Sequence, residues 1–152
     1  KDGSSLLSAS SDSTLRIWDI GTGKMISKFQ CGRSIPLTID VHPNNQFVAC
    51  GCEDGRVILW DASTTPNDAH GLWCQSAFDS RVTDVKFSED GSLLLASSID
   101  GEICAFNLKD ENKPGTIVMR TNAYASTIDS ITVTRYNLVC TTGRSLRGGI
   151  YI

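Results

Sequence analysis

The sequence predicts an all-β fold, a propeller of four-stranded antiparallel blades, of which about three and a half are present. Two internal landmarks and one pattern of alternation lead there. The segment Asp12-Ser13-Thr14-Leu15-Arg16-Ile17-Trp18-Asp19 returns as Asp54-Gly55-Arg56-Val57-Ile58-Leu59-Trp60-Asp61. It returns more weakly as Asp100-Gly101-Glu102-Ile103-Cys104-Ala105-Phe106-Asn107, at spacings of 42 and then 46 residues. The turn Asp2-Gly3 returns as Asn44-Asn45 and Asp90-Gly91 at the same two spacings. Between landmarks the residues alternate as half-buried strands do. The period matches the ~40–45 residues of a propeller blade. No stretch keeps a 3.6-residue period between breakers, so no helix is expected.

Taken in order, residues 1–31 hold part of a blade, with strands near Leu6–Ser10, Thr14–Asp19 and Met25–Gln30. Residues 32–79 hold a complete blade, running from Leu37 to Phe78. Residues 80–121 hold another, whose pattern is the plainest. Val82–Phe87 alternates, Ser88-Glu89-Asp90-Gly91 turns, and Leu93–Ser97 reads as a buried strand. Ser98-Ile99-Asp100-Gly101 is a tight turn, Glu102–Leu108 a third strand, and Thr116–Arg120 a fourth after a polar loop with Pro114. Residues 122–152 begin one more blade, with Ile128–Val133, Leu138–Thr142 and Gly149–Ile152. Closed propellers use about 4–8 blades, and an open ring leaves unpaired strand edges. The expectation is therefore a segment of a longer chain whose remaining blades close the ring; pairing with a second copy is the lesser alternative.

Composition narrows the function classes. The 152 residues suit one domain, with 40% hydrophobic and 20% charged residues. Lys and Arg number 14 against 17 Asp and Glu, a net charge of −3 and a pI of 5.3. A mildly acidic chain with scattered charge gives no electrostatic basis for direct nucleic-acid or membrane-surface binding. No apolar run approaches the ~20 residues needed to span a bilayer. The opening Lys1-Asp2-Gly3-Ser4-Ser5 lacks the pattern of a signal peptide, and no Asn begins an Asn-x-Ser/Thr site. Of the six Cys, Cys50, Cys52, Cys104 and Cys140 sit inside apolar runs, as small reduced core residues do. An intracellular, reducing setting, cytoplasmic or nuclear, is expected.

Ser8-Ala9-Ser10-Ser11-Asp12 leading to Ile17-Trp18-Asp19, and Asp54 leading to Leu59-Trp60-Asp61, resemble WD40 repeats, and the resemblance covers essentially the whole chain. In that family a His, a Ser or Thr, the turn Asp and the Trp form a hydrogen-bonded set within each blade. The matching residues here are Ser8, Asp12 and Trp18, then Cys50, Asp54 and Trp60, then Ala96, Asp100 and Phe106. No Gly-His pair leads into any blade; Gly32-Arg33 stands where one belongs. The buried polar set is thus expected to be thin, with packing taking its place. The turn Asp and the Trp are read as structural.

The resemblance implies a non-catalytic scaffold for protein or peptide partners, because a propeller is a rigid disc that presents loops. The positions that the family most often uses for partners are Ser11 in the first blade, and Arg33, Ser34, Leu37 and Glu53 in the second. In the third they are Asp79, Arg81 and Thr83, and in the fourth Tyr124 and Asp129. Arg81 and Tyr124 stand out by residue type, since Arg and Tyr are enriched in binding hot spots. An alternative is a substrate receptor of an E3 ubiquitin ligase. Members of that kind carry Arg or Lys two residues after the Trp-Asp pair, where this chain has Gly21 and Ser63. A propeller hydrolase or isomerase is the remaining alternative.

The residues give little for chemistry. His42 and His70 are the only two His, both expected at the surface, and no Gly-x-Ser-x-Gly elbow accompanies them. The stretch Gly143-Arg144-Ser145-Leu146-Arg147-Gly148 lacks the Lys of a phosphate loop. Cys50 and Cys52 share a strand face, but no second Cys pair at ligand spacing follows, so core packing is expected and no metal or other cofactor. Arg135, Arg144 and Arg147 are read as solvated turn residues rather than an anion site. Ser63-Thr64-Thr65-Pro66 is a polar loop in which Thr65 precedes Pro, a candidate phosphorylation point.

Overall fold

Hairpin turns of one geometry recur along the chain and set where each strand begins. In the computed structural model, which describes residues 3–62, 71–110, 114–122, 127–134 and 139–143, the second residue of both landmarks has a positive φ. The values are 67°, 81° and 84° at Ser13, Gly55 and Gly101, and 75°, 62° and 70° at Gly3, Asn45 and Gly91. In five of these turns the amide bonds the carbonyl three residues back, as Gly55 does to Cys52 at 3.3 Å and Asn45 to His42 at 2.8 Å. A turn that ends in a left-handed residue matches the twist of a hairpin, and it favours Gly or Asn there.

Strands β1 (Ser5–Ser10), β2 (Thr14–Asp19) and β3 (Met25–Gln30) form one antiparallel sheet. Strands β4 (Pro36–Val41), β5 (Phe47–Cys52), β6 (Arg56–Asp61) and β7 (Trp73–Ser76) form the second, in sequence order. Strands β8 (Val82–Phe87), β9 (Leu93–Ser98), β10 (Glu102–Asn107) and β11 (Thr116–Asn122) form the third. Strands β12 (Ile128–Val133) and β13 (Val139–Gly143) begin the fourth. No helix occurs among the described residues. The fold class read from the repeat is the one observed. The expected strand Gly149–Ile152, and the loop carrying Thr65 and His70, lie outside the described residues.

The second and third sheets bury both faces against their neighbours. Ala49, Val57 and Leu59 of the second blade meet Val85, Leu94 and Phe106 of the third. The opposite face, with Val48, Cys50, Ile58 and Trp60, meets Leu15 and Phe29 of the first. Leu95 and Ile103 meet Ile128 and Ile131 in the same manner. Coverage on both sides explains why β5, β6, β9 and β10 read as continuous apolar runs.

The innermost strands β4, β8 and β12 lie beside one another, and each carries a bulge at the same place. Pairing skips one residue between Pro36 and Thr38, between Val82 and Asp84, and between Ile128 and Ser130. A bulge bends the strand and re-aims the next side chain. Here it brings Thr38, Asp84 and Ser130 into one hydrogen-bonded row. Asp84 is 7% exposed. Its Oδ1 accepts from Thr38 Oγ1 (2.9 Å) and Val85 N (2.9 Å), and its Oδ2 from Ser130 Oγ (2.8 Å) and Ile131 N (3.0 Å). Asp40 does the same one junction earlier, its Oδ2 accepting from Phe87 N at 2.8 Å.

Within blades the polar set is thin, as expected. Trp18 Nε1 donates to Ser8 Oγ at 2.9 Å. Trp60, where Cys50 replaces the hydroxyl, has an Nε1 with no acceptor. Phe106 packs on Trp73 instead, with ring centroids 5.2 Å apart. Asp40 and Asp84 add polar links between blades.

His42 corrects the sequence reading. It is 9% exposed rather than a surface residue. Its Nε2 donates to the carbonyl of Gly91 in the next blade at 3.0 Å, and its ring meets Phe47 and Phe87 edge-on, at 5.4 and 5.1 Å. A side chain at Gly91 would run into that imidazole.

Three outcomes are expected. Trp60→Ala should cost ~3–5 kcal/mol as a large-to-small core change, read as a lower urea midpoint. Asp84→Ala leaves two amides and two hydroxyls without an acceptor, and should cost about 2–5 kcal/mol on the same measurement. Asp84→Asn should cost less. The third concerns pH. Asp90 accepts from Ser88 Oγ (2.7 Å), Ser92 N (3.0 Å) and Ser92 Oγ (2.7 Å), which hold its carboxyl well below the usual range. A depressed folded-state pKa stabilises above the unfolded value of about 3.9 and loses that stabilisation as pH falls through the folded value. The gap in melting temperature between wild type and Asp90→Asn should therefore narrow below about pH 4.

Candidate functional site

The segments that join successive blades run along one end of the sheets and are stitched to the neighbouring turns through the backbone. Cys31 N donates to Ser13 O at 2.9 Å, and Glu53 N to Ile35 O at 2.9 Å. Ala77 N and Phe78 N both donate to Gly55 O, at 3.1 and 3.2 Å, and Ile99 N donates to Arg81 O at 3.1 Å. Side chains add to this seam. Gln30 Nε2 donates to the carbonyls of Ser13 and Gly32, Arg56 Nη2 to that of Cys31 at 3.2 Å, and Arg120 Nη2 to that of Ala77 at 2.6 Å. The turns at 10–13, 53–55 and 98–101 and the links 31–35 and 77–81 thus form one continuous end.

Most of the expected interaction residues gather there. Ser11, Arg33, Glu53, Asp79 and Arg81 are exposed on these turns and links. Among the described residues no hydrogen bond or ion pair engages the side chains of Arg33 or Arg81; the ion pairs at this end are Asp12 with Arg16 and Asp54 with Arg56. Leu37, Thr83 and Asp129 occupy the bulge of their strands, one per blade. Leu37 is 46% exposed and Asp129 exposed, whereas Thr83 is half-buried with its hydroxyl 2.8 Å from that of Ser97. Ser34 turns inward. It is 7% exposed, and its hydroxyl accepts from Asp54 N at 3.3 Å, so it positions the turn instead of facing solvent. Tyr124 lies outside the described residues.

The turn carboxylates are committed to the fold. Asp12 lies below the usual carboxylate range, chiefly through the hydroxyl of Thr14, 2.5 Å from its Oδ1. Burial works against ionisation of Asp54, yet Ser34 and the Arg56 guanidinium at 2.7 Å outweigh it and lower its pKa. The charges left to solvent are of both signs: Arg33 and Arg81 beside Glu53 and Asp79.

Two cavities lie away from the expected residues that the structure describes. One cavity of 240 Å³ lies among Asp40, Lys86, Phe87 and Ile131 at the junction of the inner strands. Another of 510 Å³ lies against Leu6, Ile17 and Ile26 of the first blade. The sulfurs of Cys50 and Cys52 do lie together, 3.6 Å apart, and the structure adds Cys31, which the spacing of the other two gave no reason to include. Its signal was only a Cys just past the end of a strand.

Comparison with known proteins follows the same lines. The family described as Nucleolar protein 10-like, N-terminal domain matches residues 1–147. WD repeat-containing protein 90 of Xenopus tropicalis is 31% identical over 103 residues, 68% of this chain and 5% of that protein. The guanine nucleotide-binding protein subunit beta of Saccharomyces cerevisiae is 30% identical over 117 residues, 72% of this chain and 26% of that protein. The U3 small nucleolar RNA-associated protein 12 of the same yeast is 32% identical over 118 residues, 76% of this chain and 12% of that protein. The chain therefore spans well under a third of the length of each of these relatives. With its repeat, its sheets and a family match over nearly its whole length, this chain belongs to the WD40-repeat β-propellers, in the Nucleolar protein 10-like group.

Proposed function

We propose that the chain is part of a non-catalytic scaffold that binds proteins or peptides through the end carrying the blade links, within a nucleolar assembly. One observation carries the binding end: Arg33 and Arg81 project from backbone-stitched links, free of partners among the described residues, beside the acidic Glu53 and Asp79. A backbone held in place before binding loses little conformational freedom on association, and exposed Arg is a favoured hot-spot residue. The mixed charge suits a protein surface of mixed charge better than a polyanion, and the net charge of −3 agrees. The nucleolar setting rests on the family description and on the U3 small nucleolar RNA-associated relative. In such an assembly this chain contributes protein contacts, with RNA held by other members.

Charge reversal at Arg33 and Arg81 together, with Tyr124→Ala, tests the binding end. The folded variant, checked by circular dichroism, should lose a defined subset of the proteins that wild type recovers from lysate. Recovery of the same set would overturn the assignment. A tagged full-length protein should concentrate in nucleoli, and a diffuse cytoplasmic signal would remove the nucleolar part of the reading.

A further inference from the structure

We propose that Cys31, Cys50 and Cys52 bind one soft, thiophilic d10 metal ion, which clamps the first blade to the second. Cys50 and Cys52, two apart on β5, project from the same sheet face, and that face packs on the first blade. Cys31 comes from the link that follows β3 and is fixed by its own amide bond to Ser13. The sulfur of Cys50 lies 3.9 Å from that of Cys31 and 3.6 Å from that of Cys52, and all three sulfurs are within 4.8 Å of one another. Thiolates on an ion with metal–sulfur bonds of about 2.3 Å stand roughly 3.8 Å apart in a tetrahedral arrangement and roughly 4.0 Å in a trigonal one. The sulfurs thus already hold nearly that spacing. All three residues are fully buried, and their thiols are free.

Among the described residues no His or carboxylate joins the group. Three soft donors without a fourth suit Cu(I) as a three-coordinate ion, while Zn(II) would complete its shell with water. One further feature fits bound thiolates. The Arg56 guanidinium, held against the Cys31 carbonyl, supplies positive charge. An incoming ion displaces the thiol protons to solvent as the metal–sulfur bonds form.

The test uses the whole chain, reduced and freed of metal, titrated with Zn(II) alone and, without oxygen, with Cu(I) alone against a coloured chelator. One ion per chain, a thiolate-to-metal absorption band and a higher melting temperature are expected. Cys31→Val and Cys50→Val should each weaken binding by more than about 100-fold, a loss larger than that of an outer-shell partner. The exposed Cys74→Ser should bind as wild type. X-ray absorption on the loaded wild-type chain should count three sulfurs around the metal, and this reading stands even if a Val variant fails to fold. Tighter binding of Cu(I) selects the three-coordinate site; tighter binding of Zn(II) selects the one completed by water. No stoichiometric binding of either ion, unchanged affinity in folded Cys50→Val, or fewer than three sulfurs around the metal would overturn the proposal.

Discussion

One buried carboxylate joins three blades. Asp84 takes four donors, from the preceding blade, its own strand and the following blade. A carboxylate in a protein interior is costly unless its lone pairs are filled, so the site tolerates few alternative arrangements of its neighbours. The angle between blades follows from that, and so does the line of links at the binding end, because each link ends where an inner strand begins. The recurring bulge makes this possible. Without the skipped residue at Thr83, the pleat would turn Asp84 to the other side and the row from Thr38 to Ser130 would not form.

The three central residues Trp18, Trp60 and Phe106 show three answers to one packing problem. Where a hydroxyl is available the indole N–H is satisfied, as in Trp18 with Ser8. Where Ala96 stands, Phe106 needs no acceptor at all and gains ring contact with Trp73. The second blade is the mismatch: an indole N–H meets a cysteine position and goes unsatisfied, a state that costs about 1–3 kcal/mol when both groups stay neutral. That mismatch lies in the same packed cluster as the three thiols.

The seam and the binding end share residues. Cys31 opens the link that presents Arg33, and Arg56 ties the carbonyl of Cys31 to the turn at Asp54. Whatever stiffens the seam between the first two blades therefore stiffens the presentation of Arg33 and Glu53. A rigid frame with short, backbone-bonded links is what a binding surface needs if little ordering is to accompany association.

Period and turn chemistry were legible in the sequence because they are local. A left-handed residue after Asp or Asn closes the same turn wherever it occurs, so two landmarks at matching spacings were enough to place the strands. The exposure of Arg33, Glu53, Asp79 and Arg81 followed from their positions on those turns and links. What the sequence left open concerns residues whose partners lie 40 or more positions away. Asp84 reads as one polar residue in an alternating strand until Thr38 and Ser130 close on it from either side. His42 reads as a surface turn until Gly91 of the next blade covers it, and Cys31 reads as a link residue until the first blade folds onto β5. Strand period and turn type are set by neighbours in the chain, whereas the partner of a buried polar or sulfur atom is set by how the sheets stack, which only the assembled blades decide.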